Sequence, residues 1–191
     1  MNATRHGLIM ETSLFTQLAG ELARRGRGQR EAGAFLLARA GHPRDGSRRL
    51  PVVAVAYYDD LDPGCLTGRI TFTADGYTAL AALCRRDGLQ VVADIHTHPG
   101  RDVRQSPTDA AHPMTALPGH IALIAPRYAR YVTSPADLGV HVLQAGGQWQ
   151  SAYGRDAARI VRLTSARSAA SQLQAVTRWL RSPTRTRRTW S

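Results

Sequence analysis

An apolar run that ends in two closely spaced histidines limits the folds open to this chain. Residues 89–95, LQVVADI, form a candidate central strand that leads directly into His96 and His98. Alternate residues of a strand share one face of a sheet, so both imidazole rings can reach one metal ion. Pro99 and Gly100 then end the strand and turn the chain. Open α/β sheets place their functional sites at such carboxyl ends of strands.

A third metal-binding side chain follows in the same stretch, HTHPGRDVRQSPTD, which covers residues 96–109. Asp109 comes three residues after Ser106, a spacing typical of a helix N-cap that would hold the carboxylate in place. Catalytic zinc sites use three protein ligands and leave the fourth position open. The two histidines alone are weak evidence, but the added aspartate and serine favour a metal site. His112 and His120 are more typical of structural or surface residues.

A hydrolytic metal site also needs a group that moves protons near the reacting water. The chain contains three glutamates, Glu11, Glu21 and Glu31. Glu21 falls within an amphipathic helix, and Glu11 lies in the N-terminal lead-in. Glu31 opens the apolar segment EAGAFLLAR, where burial of a carboxylate is costly. Alone it would be a polar residue at a strand start, whereas together with the histidines it is the candidate general base.

The remaining periodic segments predict a mixed α/β layer fold with a helical C-terminal part. Helices are expected over residues 13–25, with Ser13 as N-cap, over 75–86, and over 156–181. Strands are expected over residues 31–39, 50–58, 66–74, 89–95, 120–129 and 139–152, the last broken into a hairpin at Gly146-Gly147.

Composition indicates a folded protein that lies outside the membrane. Hydrophobic residues make up 43% of the 191 residues. No apolar run approaches the roughly 20 residues of a membrane helix, and the N-terminus lacks the apolar core of a signal peptide. Cys65 and Cys84 form no CxxC pair, so a reduced, cytoplasmic protein is expected.

The charge is unusual because all 25 basic residues are arginine, and the net charge is +11. Such a surplus can indicate an acidic partner, or the arginine codons of a GC-rich genome. Only the final segment, SPTRTRRTWS, comes close to a basic stripe with interleaved aromatic residues, so nucleic acid is not the favoured partner.

The segments EAGAFLLAR and HTHPGRDVRQSPTD together resemble the signature of the JAMM (JAB1/MPN/Mov34) zinc metalloproteases. That signature is an upstream glutamate followed by H-x-H-P and S-x-x-D, and the chain resembles the bacterial stand-alone members. Ala34 and Ala38 replace glycines common in the family, and Asp94-Ile95 replaces aromatic residues, but no ligand position is lost. The resemblance covers roughly residues 10–150 in element order.

The resemblance implies a cytidine-deaminase-like mixed β-sheet flanked by helices. It places a metalloprotease domain over residues 1–154 and leaves 155–191 as a helical, basic extension. By resemblance, His96, His98 and Asp109 bind Zn²⁺. Zinc then acidifies a water whose hydroxide attacks an amide carbonyl.

The same resemblance assigns the proton transfers and the charge stabilisation. Glu31 serves as the general base and passes the proton to the leaving amine. Ser106 donates a hydrogen bond to the developing oxyanion.

Family members of this kind act on the C-terminus of ubiquitin-like or sulfur-carrier proteins. The expected activity is therefore that of a deubiquitinase-like isopeptidase that processes or removes a ubiquitin-like modifier. E1-like or E2-like proteins of an anti-phage defence pathway are possible partners. A non-catalytic docking module and a small-molecule amidohydrolase remain alternatives. The absence of lysine agrees with codon bias and with protection from a conjugation system.

Overall fold

The computed structural model describes residues 6–42, 49–66 and 70–165. In chain order the elements are β1 (Gly7–Glu11), α1 (Thr12–Gly26), β2 (Gly33–Arg39), β3 (Arg49–Pro51), β4 (Ala54–Tyr57), α2 (Tyr58–Leu61), α3 (Ala74–Asp87), β5 (Leu89–Thr97), α4 (Pro107–Ala111), β6 (Ile121–Ala125), β7 (Gly139–Leu143), β8 (Trp149–Ala152), α5 (Arg155–Ile160) and β9 (Val161–Thr164). Short 3₁₀ turns lie at Arg127–Ala129 and Pro135–Asp137.

A six-stranded mixed sheet, in the order β4-β2-β5-β6-β7-β8, holds most of the core. β5 lies inside it, antiparallel to β2 and parallel to β6. β6 is the uniformly apolar segment IALIA, and all of its residues are buried, as expected for an inner strand covered on both faces. The predicted mixed α/β class, with helices flanking a mixed sheet, is confirmed.

The segment 50–58, expected to be one strand, divides between two sheets. The backbone N–H of Val52 donates to Ile9 O in β1, whereas that of Val53 donates to Leu37 O in β2. The chain therefore changes sheets between two consecutive residues. β3 joins β1 in a separate three-stranded parallel sheet, and β4 lies at the edge of the large sheet.

The strand expected over residues 66–74 is wrong in the part of it that the structure describes. A single bridge joins Leu66 and Ile70 there. Side chains hold the segment instead: the Asp62 carboxylate accepts bonds from the backbone N–H and hydroxyl of Thr73, both at 2.8 Å. Phe72 packs between the rings of Tyr58 and Tyr77.

The ends of two further elements differ from expectation. α1 begins at Thr12, with Glu11 rather than Ser13 at the N-cap position, because β1 runs directly into the helix. The strand expected over 120–129 ends at Ala125, where Pro126 interrupts the ladder.

The helix expected over 156–181 is wrong at Val161–Thr164, which forms β9. This strand pairs parallel to β1, with Leu8 opposite Val161, so backbone pairing outweighs the helical spacing of the apolar residues there. Residues 166–181, and the rest of the predicted extension, lie outside the described residues. None of the helices in the described ranges has the length and apolarity to span a bilayer.

Candidate metal centre and cleft

β5 places His96 and His98 at its carboxyl end, between β2 and β6 of the large sheet. His96 pairs with Gly33 of β2 and with Ile124 of β6. His98 follows the strand, but its N–H donates to Ala125 O and its carbonyl accepts from Tyr128 N–H, both at 2.8 Å. The backbone that carries the two imidazoles is thus held by the neighbouring strand and the turn after it.

A capping box fixes Asp109 at the start of α4. The Ser106 hydroxyl oxygen accepts from the Asp109 N–H at 3.1 Å, and the Asp109 Oδ2 accepts from the Ser106 N–H at 2.9 Å. Both bonds satisfy N–H groups that have no partner inside a helix. The predicted N-cap pattern at these two residues is therefore what the structure contains.

We call His96, His98 and Asp109 the ligand triad, because their polar atoms lie close together. Nε2 of His96 lies 3.2 Å from Nε2 of His98, and Asp109 Oδ2 lies 3.7 Å and 3.4 Å from these nitrogens. Ligand atoms about 2.0–2.2 Å from a tetrahedral zinc ion stand about 3.3 Å apart. The triad therefore has the spacing and donor types to hold a metal ion.

Hydrogen bonds and charge give the triad a lone pair and a carboxylate that can bind a cation. His98 Nδ1 lies 3.0 Å from the Asp102 carbonyl, which can only accept, so Nδ1 carries the proton and Nε2 keeps its lone pair. Hydrogen bonding to Asp109 raises the pKa of His98. Burial favours a higher pKa for Asp109, but its interactions with the two imidazoles hold that pKa well below its ordinary value. Asp109 is therefore a carboxylate at neutral pH.

Glu31 and Ser106, the two other predicted site residues, line the same cleft as the triad. Glu31 lies two residues before Gly33, the partner of His96 in the β2–β5 ladder. The link between these strand ends is reinforced by Thr97, whose buried hydroxyl oxygen accepts from the Ala32 N–H at 3.0 Å. The structure thus brings together all five residues predicted from the sequence.

The cleft has a volume of about 870 Å³ and an aromatic wall. Phe72 and Tyr77 pack edge to face with their ring centroids 4.8 Å apart. Deeper in the cleft, the buried Asp94 carboxylate accepts from His120 Nε2 at 2.5 Å and from the Tyr58 hydroxyl at 3.3 Å. His120 is thus bonded to Asp94 and not to the triad.

Sequence reasoning missed three buried polar residues near the site, Thr97, Asp94 and His141. His120, expected to be a structural or surface residue, is buried and bonded to Asp94. The position of Thr97 between the two histidines, on the opposite face of β5, was the one local signal for burial. The others depend on contacts between distant segments, which no local pattern contains.

No protein-family model matches the chain. A probable metalloprotease from Sinorhizobium fredii is 32% identical over 78 residues, which make up 41% of this chain. The match spans 48% of that relative, about half of its length.

Solved structures match the chain at low sequence identity, and those with a TM-score above 0.5 share its fold. A protein from Desulfitobacterium hafniense matches with a TM-score of 0.53 and 19% identity, over 83% of this chain and 93% of that one. A JAB1/MPN domain protein from Archaeoglobus fulgidus matches with a TM-score of 0.41 and 15% identity, over 78% and 96% of the two chains. The likeness to a probable metalloprotease over 78 residues supports the resemblance predicted from the signature.

Proposed function

We propose that the chain is a zinc-dependent peptidase or isopeptidase that acts at the C-terminus of a ubiquitin-like protein. The convergence of His96, His98 and Asp109 in a cleft that also contains Glu31 and Ser106 carries this proposal. The likeness to a probable metalloprotease supports the same reaction class. When bound, a zinc ion would supply a Lewis acid that lets water react near neutral pH.

Glu31 is the proposed general base and acid of this site. It lines the cleft, and its charge acts on the imidazole of His98, raising that pKa together with the larger effect of Asp109. We assign it the orientation of the attacking water. It takes the water's proton and returns it to the amine that leaves when the amide C–N bond breaks.

Ser106 is the proposed donor to the carbonyl oxygen of the substrate. Its Oγ is an acceptor in the bond from the Asp109 N–H, so the hydroxyl hydrogen can point elsewhere. A donor aimed at the oxygen on which charge develops stabilises the transition state.

The substrate class follows from the family resemblance. A small-molecule amidohydrolase would use the same residues on another amide, and a docking module would need no general base. We extend the proposal to a cytoplasmic location and to E1-like or E2-like partners. Cys65 and Cys84 form no disulfide, which agrees with a reducing compartment.

The test combines metal content with cleavage. We expect one zinc per chain by elemental analysis, and release of a reporter fused to the terminal glycine of ubiquitin-like and sulfur-carrier proteins. Glu31→Gln should retain zinc and the fold while turnover falls about 10²-fold or more. Zinc binding without cleavage of any fusion would favour the docking module. A Glu31→Gln protein as active as the wild type would exclude Glu31 as the base.

A further inference from the structure

β7 contacts the loop between His98 and α4. His141, in the middle of that strand, is 1% exposed. Its Nε2 lies 2.9 Å from the carbonyl oxygen of Val103, a residue 38 positions earlier in the chain. A carbonyl oxygen only accepts, so Nε2 carries the proton and donates it to the loop.

The hydrogen bond at the other ring nitrogen fixes the proton of His141 on Nε2. His141 Nδ1 lies 2.8 Å from the hydroxyl oxygen of Ser151 in β8, which donates to it. Burial lowers the pKa of His141, so its imidazole is neutral near pH 7. A neutral ring that accepts at Nδ1 must donate at Nε2, toward Val103.

Gly139 provides a second contact between β7 and the same carbonyl. A Cβ built at this position would lie 1.9 Å from Val103 O, far inside van der Waals contact. The loop can therefore approach β7 closely enough for the His141 bond because residue 139 has no side chain.

The residue that His141 bonds, Val103, is joined by one peptide bond to Asp102, which bonds a member of the ligand triad. The carbonyl of Asp102, directly before Val103, accepts from His98 Nδ1 at 3.0 Å. That bond leaves His98 Nε2 as the nitrogen that faces His96 and Asp109. Because each peptide group is planar, only the φ and ψ rotations of Val103 separate the two carbonyls, so fixing Val103 O reduces the directions open to Asp102 O.

We infer that His141 is a positioning residue for the metal centre: it holds the loop whose Asp102 carbonyl sets the tautomer and orientation of His98. This inference rests on the metal site of the proposed function and adds an outer contact to it. Groups that bond directly to a metal-binding histidine, as the Asp102 carbonyl does here, contribute about 10–100-fold to metal affinity in other sites.

Two amide substitutions of His141 separate the contact to the loop from the contact to Ser151. The amide nitrogen of Gln reaches the position of His Nε2, whereas that of Asn reaches only the position of Nδ1. His141→Gln can therefore keep the bond to Val103 O, and His141→Asn cannot. We expect the zinc dissociation constant of the full chain, measured by competition with a chromophoric chelator, to rise at least about 10-fold in His141→Asn and to stay near the wild-type value in His141→Gln.

Equal zinc affinity of His141→Asn and the wild type would overturn the inference, and so would equal weakening by both substitutions. Failure of the wild type to bind zinc would instead overturn the proposed function. If His141→Asn does not fold, Gly139→Ala tests the same contact, because its methyl group must displace Val103. Its control is Gly20→Ala in α1, where a Cβ would meet nothing within 4 Å. Weakened zinc binding in Gly139→Ala alone supports the inference, and wild-type affinity in both variants overturns it.

Discussion

The position of one proton decides which nitrogen of His98 can bind a metal. The Asp102 carbonyl takes the Nδ1 proton, so Nε2 faces the other two members of the triad with a lone pair. Asp109 contributes the negative charge, and its Oδ2 is oriented by the Ser106 N–H. The ligand atoms of His98 and Asp109 are thus oriented by the surrounding backbone before any metal binds, which lowers the reorganisation needed for binding.

At this scale we predict that His98→Ala loses zinc. The change removes one of three ligands, and the site loses the coordination energy that this ligand contributes. His112→Ala is the matched control, because His112 is exposed and lies just after α4. Elemental analysis after dialysis should give less than stoichiometric zinc for His98→Ala and wild-type zinc for His112→Ala. Full zinc retention by His98→Ala would contradict the assignment.

At the scale of elements, two capping boxes of the same Ser-Pro-x-Asp type occur in the described part of the chain. Ser106-Pro107-Thr108-Asp109 starts α4, and Ser134-Pro135-Ala136-Asp137 starts the 3₁₀ turn before β7. In both, the serine oxygen accepts a backbone N–H and the aspartate accepts the N–H of the serine. The first box carries a member of the triad, and the second contributes to neither the triad nor the cleft lining.

The repeated box supplies an internal control for Ser106. Ser106→Ala and Ser134→Ala should each lower the free energy of unfolding by about 1 kcal/mol, the usual contribution of a serine N-cap. Turnover at saturating zinc should fall about 10²-fold in Ser106→Ala, because the donor to the carbonyl oxygen is also lost, and stay unchanged in Ser134→Ala. Urea unfolding and cleavage of the same fusion measure the two effects. Equal turnover in both variants would leave Ser106 with a capping role alone.

Local sequence patterns correctly predicted the elements whose apolar residues recur at the spacing of a helix or a strand. The apolar run into His96, the helix over 75–86 and the hairpin broken at Gly146-Gly147 all appear in the structure as β5, α3 and the β7–β8 pair. The short strands β1 and β9 were missed because four or five residues carry little periodicity. Their pairing joins segments far apart in the chain, and such contacts leave no local pattern.

The same distinction holds for the site. The triad, Glu31 and Ser106 were predicted because two short segments contain them all. His141 escaped prediction because it acts on Val103 across 38 residues. The metal-binding atoms are thus encoded locally, whereas the contacts that orient them depend on the completed sheet.

At the scale of the whole molecule, the small parallel sheet ties the two ends of the described chain together. β1 pairs with β3 on one side and with β9 on the other. Ala157 of α5 and Val161 of β9 are almost fully buried, so the segment that follows Gly154 belongs to the core as far as β9. A boundary placed at residue 154 would divide this packing.

Two truncations test where the folded unit ends. A chain that stops at Ser165 keeps every contact described above and should bind zinc and unfold like the full chain. A chain that stops at Gly154 loses β9, its ladder with β1 and the buried Val161. Burial of one such side chain contributes about 1.5–3 kcal/mol, so its free energy of unfolding should fall by at least that amount. Thermal unfolding with and without zinc measures the difference. A Gly154 truncation as stable as the Ser165 truncation would show that β9 adds nothing to the stability of the fold, and would restore the boundary at residue 154.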